Sequence, residues 1–362
     1  MTDQTQVPTL DPTNPFAAPS SLPYRLPDFA AIRDEHYRPA FLAGMAAERA
    51  EVEAILADGP PTEDNTLLAL ERAGALLHRV AAVFFNRTSA DSTPELDDLE
   101  AEVAPLLSEH HDAIDLDPRL LARLDALAAR AAAGEVTLAE DAGWLLENLQ
   151  RDLRRGGAAA APQVQEQLRA LNARISTLET TFGRELLADA NDSALLVTDD
   201  AELDGLAPDA IAAARQAAAD RGHAEGWLLE LVSSSQQPVL ASLTRRDVRR
   251  RVHEASLARG ARGTEHDTRA TLLELVRARA ERARLLGYDH HAAYVADDGT
   301  ARTTAAVQAL LTRAAPAAAA NARREAADLE AALRVDEPGA TLEGWDWPFY
   351  AEKVRQERYA LD

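Results

Sequence analysis

From Pro162 to about Leu187 the apolar residues Val164, Leu168, Leu171, Ile175, Leu178, Phe182 and Leu186 advance in steps of four and three. Steps of that size keep all of them on one stripe of an α-helix. A stripe so long is stable only when another helix covers it. The surrounding sequence agrees with a helical bundle. Aromatic residues make up only 5% of the 362 residues, and Ala, the strongest helix former, is abundant. Helices are expected at about 94–112, 118–133 and 138–154, with Asp117-Pro118 and Thr137 as start signals and Arg155-Gly156-Gly157 as a stop. The expectation is a mainly α protein with over half its residues in helix and a few short strands.

The chain divides by composition. Residues 1–13 are polar and are expected to be a disordered N-terminus. The segment N-P-F-A-A-P-S-S-L-P-Y-R-L-P-D-F from Asn14 is extended by its prolines, and is expected to pack over the body through Phe16, Leu22, Tyr24 and Phe29. Asp28 can cap a helix reaching about Leu56, in which Pro39 implies a kink or two helices. Thr62 or Asn65 can cap the next, through about Phe85. Residues 14–157 therefore read as an N-terminal helical domain. Residues 158–362 read as a helical region with one strand pair, at about 194–198 and 226–232. Pro208 opens a helix ending near Gly222, and a helix from about Thr304 to Leu333 carries Pro316, a second expected kink.

The stretch from His223 to Tyr294 is the most informative. A short apolar strand is followed by Gln236-Gln237-Pro238, and then by the basic helix T-R-R-D-V-R-R-R-V-H-E-A-S-L-A-R-G, stopped by Gly260 and Gly263. A second helix, H-D-T-R-A-T-L-L-E-L-V-R-A-R-A-E-R-A-R-L-L-G-Y, leads into His-Ala-Ala-Tyr. That order resembles the first half of a family M3 zinc metallopeptidase, on the branch of the peptidyl-dipeptidases (dipeptidyl carboxypeptidases) and oligopeptidase A. The N-P-F…S-L-P-Y opening, P-T-E-D-N-T-L-L-A-L-E-R-A-G and E-K-V-R-Q-E-R-Y extend the resemblance from Asn14 to Asp362.

The resemblance implies an elongated helical body like that of neurolysin and thimet oligopeptidase, split by a deep channel that admits short unfolded peptides. It implies a protease (a hydrolase) that releases C-terminal dipeptides or cleaves internally, with short peptides as substrates and zinc as the cofactor of a complete, monomeric, cytoplasmic protein. The zinc ligands of such proteins, an H-E-x-x-H pair and a later Glu, are expected beyond Asp362. The chain thus reads as the amino-terminal part only, truncated before the zinc-binding helix. It should supply a channel wall and hold no zinc itself. No residue is assigned as catalytic, cofactor-binding or metal-ligating.

The residues themselves give the same answer. A zinc peptidase helix needs two His four residues apart with a Glu beside the first. The single His-Glu pair is His253-Glu254, and the residue four after His253 is Leu257. His110-His111 and His290-His291 are adjacent, about 100° apart on a helix, so neither pair can chelate one ion; a structural role as cap or packing group is expected for His290 and His291. Asp97-Asp98, Asp199-Asp200 and Asp297-Asp298 carry little weight among 60 acidic residues. There is no G-x-S-x-G elbow, and Lys353 has no glycine loop before it. The cluster Trp345, Asp346, Trp347, Phe349 and Tyr350 reads as a packing anchor at the foot of a helix, with a sugar or base platform as the alternative.

A net charge of −22 argues against a general nucleic-acid binder. Arg245, Arg246, Arg249, Arg250 and Arg251 form a local basic run, expected to be a solvated or ion-paired face. Without cysteine there is no disulfide, thiolate site or cysteine nucleophile. No apolar run reaches the roughly 20 residues that span a bilayer, and the N-terminus lacks the pattern of a signal peptide. The competing reading is a stand-alone, non-catalytic helical binding or scaffold protein derived from such a peptidase.

Overall fold

The computed structural model describes residues 9–231 and 237–359. Helix makes up 70% of it. In chain order the helices are α1 Asp34–Ala57, α2 Ala69–Arg72, α3 Ala75–Ala90, α4 Pro94–Asp115, α5 Pro118–Ala132, α6 Glu140–Gly156, α7 Pro162–Asp192, α8 Pro208–Asp220, α9 Arg246–Leu257, α10 Arg269–Leu285, α11 His291–Asp298, α12 Thr304–Asp336 and α13 Trp347–Tyr359. Two compact units form, one from Met1–Thr181 with Glu274–His291, the other from Phe182–Leu273 with Ala292–Asp362.

In the first unit α1, α3 and α4 enclose Tyr37, Phe41, Phe84, Leu96 and Val103, all buried. The Phe41 and Phe84 rings meet edge-on at 5.2 Å, the arrangement the ring quadrupoles favour. A second core joins Leu120, Leu124 and Leu127 of α5 to Leu146 and Leu153 of α6. The α7 stripe does what its spacing implies: Leu171 and Ile175 are buried against Leu275 and Ala278 of α10. Several starts follow the sequence signals, although Thr137 does not cap α6, whose N-cap is Ala139 with no side-chain bond. Thr62 and Asn65 cap each other reciprocally, by Thr62 N to Asn65 Oδ1 at 2.8 Å and Asn65 N to Thr62 Oγ1 at 3.2 Å. Asp117 accepts from the Arg119 N–H ahead of α5, and Thr303 accepts from the Ala306 N–H ahead of α12.

The second unit holds the strand pair, β1 Leu195–Val197 and β2 Trp227–Leu229, antiparallel with Leu196 opposite Leu228. Gly226 enters β2 at φ +97, and a Cβ there would lie 2.6 Å from the Val197 carbonyl oxygen, so only glycine fits. One face of the pair is sealed by Val248 and Val252 of α9 together with Leu203 and Leu243. A separate small core gathers Leu329 and Leu333 of α12 around Tyr350 of α13.

Several expectations are corrected. Phe16 is buried, but Leu22, Tyr24 and Phe29 are exposed, Tyr24 at 96%. The Pro23–Arg25 turn sends Tyr24 and Arg25 to φ 56, which points the segment's apolar side chains away from the body. The first helix begins at Asp34 because Asp28 closes a turn instead, accepting the Ala31 and Ile32 N–H groups on its carbonyl. The two-helix alternative at Pro39 is not seen: α1 runs through Pro39, and α12 likewise runs through Pro316. Each costs one backbone hydrogen bond, and the neighbouring turns hold the helix together. The break that does occur is at Gly74, φ +72, where the Glu48 carboxylate leaves no room for a Cβ. The second strand is shorter than 226–232, and Val232 lies outside the described residues.

Candidate functional site

The basic run of α9 is the framework of the second unit. Arg245 pairs with Asp247, Arg250 with Glu254, and Arg251 with Glu202 at 2.6 Å. Arg246 and Arg249 reach Asp346, a hundred residues along the chain. Asp346 is fully buried and accepts from Arg246 Nε at 3.0 Å and Nη2 at 2.7 Å, Arg249 Nη2 at 3.0 Å and the Glu343 N–H at 3.1 Å. Burial alone would raise its pKa, but the two guanidiniums outweigh it and hold the carboxyl below its ordinary value. Arg249, 1% exposed, also donates to the Leu243 and Thr244 carbonyls and stacks 4.3 Å from the Phe349 ring centroid. The basic run is therefore ion-paired, and its most buried member is no solvated residue.

This clamp fixes the 343–350 loop and the start of α13 beside α9 and leaves a cavity of about 530 Å³. Apolar surface comes from Leu240, Trp347, Pro348 and Ala351, and polar groups from Gln237, His253, Ser256, Glu352 and Arg355. Gln237 Nε2 donates to Ser256 Oγ at 3.0 Å. Arg355 grips Glu352 with Nε and Nη2 at 2.7 and 2.6 Å, and the pairing lowers the pKa of Glu352. His253 packs edge-on to Trp345 at 6.2 Å. Gly344 allows that approach, since a Cβ there would sit 2.8 Å from His253 Nε2. An apolar floor with a few polar groups has the character of a ligand site. Glu352 is ion-paired with Arg355, and Ser256 accepts from Gln237.

The remaining sequence candidates are dispersed. His110 is fully buried in the first unit, its Nε2 2.8 Å from Glu48 Oε2 and its Nδ1 accepting from Arg49 Nε at 3.2 Å. His111 is exposed beside it. His290 precedes α11 and His291 opens it; desolvation, then Arg279 and Arg282, lowers the His291 pKa. Asp98 is in α4, Asp199 caps the turn after β1 through the Ala201 N–H, and Asp297 and Asp298 end α11. Among the described residues no three His, Asp or Glu side chains could hold a metal ion. None of their helices is long and apolar enough to cross a membrane.

Two buried carboxylates carried no signal in the sequence. Asp189, fully buried, accepts from the Gly260 N–H at 2.6 Å and Arg262 Nε at 2.8 Å. Desolvation opposes these bonds, yet they lower its pKa. Asp112 accepts from Asn172 Nδ2 at 2.7 Å, and desolvation raises it to about 6. Both sit in helix sequence like any other acid, and only the tertiary fold buries them.

Residues 239–362 match the model of Peptidase family M3. A dipeptidyl carboxypeptidase of Salmonella typhimurium is 38% identical over 352 residues, covering 97% of this chain and 51% of that protein. A dipeptidyl carboxypeptidase of Escherichia coli is also 38% identical, over 96% of this chain and 51% of its own length. The oligopeptidase A of Salmonella typhimurium is 28% identical, over 96% and 51% respectively. The chain spans about half the length of the curated relatives it matches.

Proposed function

This chain is a relative of the family M3 peptidases, and from that premise we propose that it is the amino-terminal part of a zinc-dependent peptidase that cleaves short unfolded peptides and releases their C-terminal dipeptides. The observation that carries the reading is identity of 38% along 97% of this chain but 51% of the matched dipeptidyl carboxypeptidase. The lower identity to an oligopeptidase A, 28%, favours dipeptide release over internal cleavage. The α9–α13 cavity supports a role in holding peptide, through its apolar floor and the Gln237, Ser256 and His253 polar groups.

Zinc does not fit the described residues. A catalytic zinc needs about three protein ligands with one position left for water. His253 has Leu257 where a second ligand would stand. Both ring nitrogens of His110 are engaged by Glu48 and Arg49. As part of this proposal we assign the metal to the region of the whole protein outside these residues, and no chemical step is assigned to them.

The test compares the 362-residue chain with the whole protein encoded by the gene. The whole protein should bind one equivalent of zinc at submicromolar affinity and release a dipeptide from a blocked tripeptide or longer peptide, in a chelator-sensitive way. The chain alone should do neither. Zinc binding by the whole protein without peptide cleavage would refute the peptidase reading and leave a helical scaffold in its place. Tight zinc binding by the chain alone would refute the assignment of the metal to the other half.

A further inference from the structure

α12 has 33 residues and so runs for roughly 50 Å. At its C-terminal end Leu329 and Leu333 are covered by Trp347 and Tyr350 of α13. Steps of four and three back from Leu329 lead through Glu325 to Ala322, Ala318, Ala314, Leu311 and Val307, all on that same stripe. There the cover ends. Every residue from 305 to 325 is exposed, Leu310 and Leu311 at 55% and 56%.

A lone helix of this kind is not self-sufficient. Isolated Ala-rich helices are marginal in water, and Pro316 removes a backbone bond halfway along. Side-chain bonds along residues 305–325 join near neighbours on the helix itself: Gln308 to Thr312, Asn321 to Glu325 and Arg324 to Asn321.

We propose that the stripe of Val307, Leu311, Ala314, Ala318 and Ala322 is a docking surface for the region of the whole protein that follows Asp362. This rests on the reading that the chain is the amino-terminal part of a longer peptidase. Two observations select that occupant. The stripe continues a seam already closed at one end by α13, so the missing cover extends an established packing interface. The matched relatives are about twice as long as this chain, which covers 51% of each, so about as much polypeptide again is available to cover it. A second copy of the chain suits the stripe poorly. Arg313, Arg323 and Arg324 flank it against the single acid Glu325, and two such faces would bring like charges together.

These 362 residues contain no cysteine, so an introduced thiol is unique among them and is followed through its own peptide. The Ala318→Cys variant places a thiol on the stripe, and the Ala309→Cys variant places one on the opposite side of α12. Alkylation by iodoacetamide is followed peptide by peptide with mass spectrometry, in the 362-residue chain and in the whole protein. In the chain both thiols should react at similar rates. In the whole protein the Ala318→Cys thiol should slow at least about tenfold, equivalent to ~1.4 kcal/mol of closure, while the Ala309→Cys thiol keeps its rate. Equal rates for the Ala318→Cys thiol in the two proteins would overturn the proposal. Slowing already present in the 362-residue chain and lost on dilution would also overturn it, in favour of self-association. Dipeptide release measured on the same samples separates the two readings: protection without cleavage upholds docking and removes the peptidase, and cleavage with an open stripe removes docking alone.

Discussion

Replacing Asp346 by Ala tests whether the α9 clamp is electrostatic in the way its geometry implies. The carboxylate accepts from four N–H groups, and its loss affects the two arginines unequally. Arg246, 26% exposed, keeps Glu337 Oε2 at 3.2 Å and the Thr341 carbonyl at 2.8 Å, and water can reach it. Arg249, 1% exposed, keeps the Leu243 and Thr244 carbonyls but has no other carboxylate among its bonds. Leaving a buried charge without its counter-ion costs about 3–5 kcal/mol, and nearly all of it falls on Arg249. The double variant Arg249→Met/Asp346→Ala removes the stranded charge as well. It should therefore lose less than the sum of the two single changes, by about 1–3 kcal/mol. The assay is urea unfolding followed by far-ultraviolet circular dichroism at pH 7. The folded pKa of Asp346 lies below its unfolded value, so the pair's contribution is complete above about pH 4 and fades as pH falls through the lowered value. A loss under about 1 kcal/mol for Asp346→Ala, or strict additivity in the double variant, would refute the reasoning.

Leu171→Ala should cost about 2–5 kcal/mol, because Leu171 is buried against α10 and a large-to-small core change leaves a cavity; thermal unfolding measures it, and a change within ~0.5 kcal/mol would mean a surface site. Asp112→Asn should stabilise the chain at pH 7 by up to about 3 kcal/mol, since holding a carboxyl of pKa about 6 ionised carries a penalty of ~1.4 kcal/mol per unit above the unfolded value. That penalty is absent below about pH 4 and complete above about pH 6, so the variant should also lose the fall in stability that Asp112 causes across this window; an unchanged pH profile would count against it.

Local signals made most helices legible. Asp117-Pro118, Thr303 and the Thr62–Asn65 pair fix their own starts within a few residues, and the three-and-four spacing of Leu171 and Ile175 needs only the presence of some helical partner. What the sequence withheld depends on distant residues. Nothing around Tyr24 shows that a turn at positive φ would turn the segment outward. At Gly74 the helix breaks at φ +72, and the Gly74 N–H is taken up by Glu51, on α1. The same limit applies to the site. Arg249 looks like its neighbours in a basic run until Asp346 arrives from 97 residues away, and the α9–α13 cavity lies between segments that this pair helps to hold together.

The titration behaviour of the buried acids bears on where cleavage chemistry can reside. A general base works best with a pKa near the operating pH and with access to substrate. Asp189 and Asp346 fail the first condition, since arginines and backbone N–H groups hold both below the ordinary carboxylate range. Asp112, at about 6, meets it but fails the second. Its carboxylate is bonded to Asn172, and it does not line the nearby cavity formed by Glu48, His78 and His111. Glu352 lines the α9–α13 cavity, but Arg355 lowers its pKa. Asp112, Asp189 and Asp346 tie segments together, and Glu352 lines the α9–α13 cavity. The proposed peptidase reading therefore assigns its base to none of these four.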